Sequence, residues 1–155
     1  MNTVLYFSTR GPIFETRAYT KADIDRLVQD RQLHCLTSTD RQFDFWFSPA
    51  ARGCQARTNR RASELLLATT KFTAKTVPLL PGGVVVATHD EDGELDGLSW
   101  QQLDLLIRRN RSLTARDVRA LDRRIQRHDR RLTRQTRTVA AAPARTATPR
   151  TPVSH

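Results

Sequence analysis

The sequence predicts an α+β fold: a small, mainly antiparallel sheet, two or three helices packed on one face of it, an Arg-rich C-terminal helix and a disordered tail. Three observations predict this arrangement. Short β-prone runs bounded by turn residues recur through the first half of the chain. Capped stretches with helical periodicity lie between these runs. The last third is strongly basic and ends in a segment rich in proline, alanine and threonine.

The charge of the chain divides it into two parts. Residues 1–107 carry twelve Lys and Arg against thirteen Asp and Glu, whereas residues 108–155 carry fourteen Arg against three Asp. The net charge is therefore −1 in the first part and +11 in the second. The length of 155 residues fits one domain and a tail. We expect an α+β body at residues 1–110, a basic amphipathic helix at residues 111–139 and a disordered tail at residues 140–155.

The first predicted elements are a hairpin and a helix. Residues 3–8 and 13–19 are β-prone, and the turn residues Gly11 and Pro12 separate them. Thr20 is a suitable cap for a helix over residues 21–31, whose apolar side chains lie on one face.

Two further strands are predicted at residues 33–37 and 42–48. In the second, Phe43, Phe45 and Phe47 alternate with polar residues and with Trp46, so the phenylalanines share one face. We expect the phenylalanines to enter the core. Trp46 lies on the opposite face, where an exposed ring could stack on a nucleic-acid base.

The rest of the body contains two helices and one buried strand. A helix is predicted at residues 59–68, with Asn59 or Thr58 at its start. Residues 84–88 (VVVAT) form the strongest buried-strand signal in the chain. Ser99 is a suitable cap for a helix at residues 100–109, with Leu103, Leu106 and Ile107 turned inward.

The basic helix is the most informative segment for function. Thr114 can cap it, and it can run to about residue 138. Its apolar residues follow alternating spacings of three and four and form a narrow seam, which could hold the helix against its own body or against a second copy. The seam residues are Val118, Leu121, Ile125 and Leu132. The helix also holds nine arginines: Arg116, Arg119, Arg123, Arg124, Arg127, Arg130, Arg131, Arg134 and Arg137.

Ion pairs within the helix do not account for so many arginines. Several of them lie four residues apart and repel one another. Of the three aspartates, only Asp122 has an arginine at helical spacing, Arg119. A polyanion would neutralise the arginines, since guanidinium groups fork onto phosphate oxygens. A second basic cluster, with Arg57, Arg60 and Arg61, lies at a predicted helix start, where backbone amides also favour anions.

The sequence therefore predicts a protein that binds nucleic acid, DNA or RNA, through backbone phosphates with weak sequence preference. A homodimer through the seam and a merely solvated helix are the alternatives for this segment. The alternative for the whole chain is a host-directed interaction or inhibitor protein that acts through its α+β body. Neither a secretory leader nor a membrane span is evident, so we expect a bacterial cytoplasmic protein without a membrane partner.

No pattern in the sequence predicts catalysis, a metal or a cofactor. His34 and Cys35 are adjacent in a predicted strand and face opposite ways, and Cys35 and Cys54 lack metal-ligand spacing, so we expect reduced structural thiols. The acidic stretch at residues 89–94 does not have the spacing of a calcium loop. Gly82 and Gly83 precede a strand rather than opening a helix, which excludes a dinucleotide fingerprint.

Three short motifs carry a family resemblance. They are the hairpin and helix at residues 3–31, the helix entry at residues 59–62 (NRRA) with the leucines at 65–67, and the run at residues 83–86 (GVVV) leading through residues 92–94 to 97 and 98. Together they resemble a family of small domains of unknown function common in phages, prophages and plasmids of GC-rich Gram-positive bacteria. The resemblance covers residues 3–107 and implies an accessory protein of a mobile element, with no assigned activity.

Overall fold

The computed structural model describes residues 2–52 and 56–141 and has the predicted α+β fold. All paired strands are antiparallel. The predicted disordered tail lies outside the described residues from residue 142 onward. In chain order the elements are β1 (Thr3–Phe7), β2 (Ile13–Arg17), α1 (Lys21–Val28), β3 (His34–Thr37), β4 (Asp44–Phe47), α2 (Arg60–Thr69), β5 (Val84–His89), β6 (Leu95–Asp96), α3 (Trp100–Arg111) and α4 (Ala115–Ala141).

The sheet is built around β5, the run that the sequence marks as a buried strand. The strand order is β2-β1-β5-β4-β3, and β6 pairs with the end of β5. The four residues from Val84 to Ala87 are fully buried. Because successive side chains point to opposite faces, this continuous apolar run requires cover on both faces of the sheet.

Helices cover both faces, so the expectation that all of them lie on one face is wrong. On one face α2, α3 and α4 enclose the larger core, which contains Phe43, Phe45 and Leu66. On the other face α1 packs Ile24 and Val28 over a smaller core. Trp46 is half-buried against that smaller core, so it is not an open platform for a nucleic-acid base.

Several predicted boundaries and side-chain positions shift. Helix α1 ends at Val28, three residues before its predicted end, because Gln29 takes a left-handed conformation with φ of 64°. In α3, Leu106 is buried as predicted, but Ile107 is 52% exposed. Helix α4 extends to Ala141, past its predicted end.

Asn59 fixes the start of α2 against the sheet. Its side-chain oxygen accepts a hydrogen bond from the amide of Ala62 (3.2 Å), as expected for a helix cap. Its side-chain nitrogen donates to the carbonyls of Phe7 (2.9 Å) and Gly82 (2.8 Å). The residue is 3% exposed, so these groups have little access to water. Asn59 thereby joins α2, the end of β1 and the loop before β5.

Replacing the Asn59 side chain should destabilise the folded protein. We expect Asn59→Ala to lower the free energy of unfolding by about 2–4 kcal/mol, because a helix cap is lost and two buried carbonyls lose their donor. Urea unfolding followed by circular dichroism measures the change. Asn110→Ala, on the exposed side of α3, is the matched control and should change stability by less than about 0.5 kcal/mol. Equal stability of the two variants would contradict this role for Asn59.

Candidate nucleic-acid interface

Helix α4 is part of the fold and packs its predicted seam on the body of the same chain. Leu121 is fully buried and Ile125 is 6% exposed, and both belong to the larger core. Val118 and Leu132, at the two ends of the seam, are half-buried. The body, rather than a second copy, therefore covers the centre of the seam.

The aspartates of α4 bind the body as well. Asp122 forms an ion pair with Arg60 at the first position of α2 (2.7 Å), and not with Arg119 as its spacing in the helix predicted. One oxygen of Asp129 accepts hydrogen bonds from the amide (3.1 Å) and the hydroxyl (2.9 Å) of Thr58. The two carboxylates thus hold α4 to the start of α2, and each also lines a shallow groove beside arginines of α4.

This arrangement changes the interpretation of the second basic cluster. Arg60 was expected to contact an external anion, and Asp122 of the same chain binds its guanidinium. The backbone amide of Thr58, just before α2, likewise donates to Asp129. Arg61 lies away from α4, in a groove that it shares with Glu15 and Glu64. Arg57 lines a shallow groove together with Asp129, Arg130 and Arg134 of α4.

The strongest basic feature is a groove of about 850 Å³ between α4 and the segment before β5. Apolar contacts come from Ala74, Leu79 and Ala120, and no carboxylate is among the lining residues. Its basic lining residues are Lys75, Arg123, Arg124, Arg127, His128, Arg130 and Arg131. Lys75 lies about fifty residues from these arginines in the chain, so no local pattern could have identified it.

The predicted arginines do not all have the same surroundings. Arg116, Arg119 and Arg123 line a further shallow groove near the start of α4, together with Asp122 and Gln126. Arg137 belongs to the C-terminal part of α4.

Arg124 has a structural role. Its guanidinium donates to the carbonyls of Val77 (2.6 Å) and Ala74 (3.3 Å), and its side chain is half-buried. It therefore holds the segment that forms the opposite wall of the basic groove. Its role as a phosphate contact stays a prediction.

Other polar clusters have structural explanations. Asp44 is 5% exposed and accepts a hydrogen bond from the Thr37 hydroxyl (2.7 Å), while His89 Nδ1 lies 2.7 Å from its second oxygen. Within the described residues, no hydroxyl or thiol is hydrogen-bonded to the other ring nitrogen of His89. Cys35 is an exposed residue, but partial burial of its thiol, aided by the charge of Asp44, raises its pKa to about 12. The thiol is therefore protonated at neutral pH.

Among the described residues, no group of three His, Cys, Asp or Glu side chains has the geometry to hold a metal ion. None of the helices described is both long enough and apolar enough to cross a membrane. No protein-family model, no curated protein and no solved structure matches this chain.

The structure distinguishes the role of Arg124 from that of Arg131, which is exposed on the same helix. We expect Arg124→Ala to lower the free energy of unfolding by about 1–3 kcal/mol, because two carbonyls lose a charged donor. Arg131→Ala should change it by less than about 0.5 kcal/mol. The two variants have the same charge and the same helix propensity. The difference between their free energies of unfolding, measured by chemical denaturation, therefore reports the hydrogen bonds of Arg124. Indistinguishable midpoints would contradict the structural role of Arg124.

Proposed function

We propose that the protein binds nucleic acid through backbone phosphates, with the exposed arginines of α4 as its main contacts. The observation that carries this proposal is the basic groove, which is lined by one lysine, five arginines and a histidine and by no carboxylate. Such a surface attracts a polyanion, and the counterions released from the phosphates would make the binding strong at low salt.

The geometry of the arginines supports contact with several phosphates at once. Arg123, Arg127 and Arg131 line the groove and lie four residues apart. This spacing repeats about every 6 Å along a helix axis and keeps the side chains on one side. Each guanidinium can donate two parallel hydrogen bonds to a phosphate group. A row of this kind can follow a nucleic-acid backbone.

Recognition through phosphates, with weak sequence preference, is the form of the proposal that fits these side chains. Arginine and lysine dominate the groove lining, which includes no phenylalanine, tyrosine or tryptophan. Phosphate contacts position a nucleic acid but carry no sequence information. The further proposal that the protein serves a phage, prophage or plasmid rests on the resemblance of residues 3–107 alone.

The test is the salt dependence of binding to labelled duplex DNA and to RNA. We compare the wild type with a triple variant, Arg123→Gln, Arg127→Gln and Arg131→Gln, by fluorescence anisotropy. The logarithm of the association constant falls linearly with the logarithm of the salt concentration, and losing three phosphate contacts should reduce the magnitude of that slope by about 2–3. Deletion of α4 is a poor test, because it would remove Leu121 and Ile125 from the core.

A control with equal loss of charge separates a local site from a general charge effect. Arg10→Gln, Arg31→Gln and Arg41→Gln together remove three exposed arginines from the body. This variant should keep nearly the full slope of the wild type. If both triple variants weaken binding equally, α4 is not the binding element. If the wild type binds neither DNA nor RNA at low salt, the proposal is wrong and a protein partner for the body becomes the better hypothesis.

A further inference from the structure

Strand β2 forms an edge of the sheet with an exposed apolar surface. It pairs with β1 on one side, and no strand within the described residues pairs with its other side. Ile13 and Phe14 are 41% and 51% exposed, and Tyr19, just beyond the strand, is 59% exposed. Edge strands are commonly protected by a bulge, a proline or charged side chains. β2 contains no proline and pairs continuously with β1, so Glu15 and Arg17 are the charged residues at this edge.

The hydrogen bonds to β1 determine which backbone groups of β2 point outward. The amide of Ala18 donates to the carbonyl of Asn2 at 3.0 Å. In an antiparallel pair, residues bonded to the neighbouring strand alternate with residues whose amides and carbonyls point away from it. Ile13, Glu15 and Arg17 are therefore the residues that present their backbone groups at the open edge.

We propose that this edge binds a second copy of the chain, with the two β2 strands antiparallel about a two-fold axis at Thr16. The six-stranded sheets of the two copies would then join into one continuous sheet. In this register Glu15 of each copy lies opposite Arg17 of the other. The symmetric interface uses the same surface of both copies.

The charges select this register among the neighbouring ones. Backbone hydrogen bonds between the two copies form only if residues whose amides and carbonyls point outward lie opposite each other. This requirement limits the two-fold axis to a few positions along β2. A two-fold axis at Glu15 would place the Glu15 side chains of the two copies opposite each other. An axis at Arg17 would likewise place two Arg17 side chains opposite each other, and like charges repel in both cases. The axis at Thr16 instead gives two opposite-charge pairs. Neither Glu15 nor Arg17 forms an ion pair within the described part of the chain.

The apolar side chains are complementary in the same register. Ile13 would face Tyr19 of the second copy, and both side chains are exposed in the single chain. Phe14 would face Ala18, a small residue that already lies buried in the smaller core. Pairing would therefore cover Ile13 and Tyr19 at this edge while forming new backbone hydrogen bonds.

A charge-swap series tests the proposal. Sedimentation velocity of the full chain, freed of nucleic acid and measured over a concentration series, gives the dimer dissociation constant. Glu15→Arg and Arg17→Glu each convert both opposite-charge pairs into like-charge pairs, so each should weaken the dimer by about tenfold or more. The double variant restores two opposite-charge pairs and should return to within about threefold of the wild type.

A symmetric cross-link provides an independent test. Two Thr16 side chains would lie opposite each other at the axis, with their Cβ atoms within about 5.5 Å. Thr16→Cys, in a chain with Cys35→Ser and Cys54→Ser, should form a disulfide-linked dimer under mild oxidation. Arg10→Cys in the same background, on the exposed turn before β2, should remain largely monomeric.

Three results would overturn the proposal. The first is a wild type that stays monomeric throughout the concentration series. The second is a dimer whose dissociation constant is unchanged by both single charge reversals, which would place the interface elsewhere. The third is equal cross-linking of Thr16→Cys and Arg10→Cys. Circular dichroism and the Tm of each variant verify that a loss of dimer does not reflect a loss of fold.

Discussion

The anchoring of α4 on α2 is the constraint on which the surface of this protein depends. Leu121 and Ile125 bury the inner side of the helix, while Asp122 and Asp129 bind Arg60 and Thr58 at the start of α2. These contacts fix both the position and the rotation of α4. The carboxylates turn toward the body as a result, and arginines dominate the outward side.

The buried inner side of α4 explains how the fold tolerates so many like charges on the outward side of the same helix. Arginines four residues apart destabilise an isolated helix by a few tenths of a kcal/mol per pair. Packing of an apolar side chain into a core contributes on the order of 1.5–3 kcal/mol. The two buried seam residues therefore outweigh the repulsion along α4. The body can hold in place a helix that would be only marginally stable alone, and it presents a preformed basic groove.

The sheet imposes a second constraint, through its central strand. The uninterrupted apolar run of β5 requires cover on both faces, which divides the helices between them. The same strand order leaves β2 at an edge of the sheet, where β1 separates it from β5. The outermost side chains of β2 are not covered by a helix. The exposed apolar residues of the hairpin thus follow from the topology. The basic groove and the open edge have no residue in common.

The sequence by itself determined the fold class, most elements and the location of the basic charge. Alternation marked the face shared by Phe43, Phe45 and Phe47, cap residues marked Asn59 and Ser99, and a continuous apolar run marked β5; each of these signals is local. Charge counting likewise located the basic helix, because composition does not depend on the fold.

Only the tertiary structure decided which side chains meet. Asp129 and Thr58 are separated by 71 positions, so no spacing rule could pair them. For the same reason, no spacing rule could show that Lys75 lines the basic groove, that Arg124 donates to backbone carbonyls, or that Arg61 lines a different groove. Contacts of this kind depend on how helices are placed on the two faces of the sheet. That placement depends on the packing of the whole core, and local sequence patterns do not predict it.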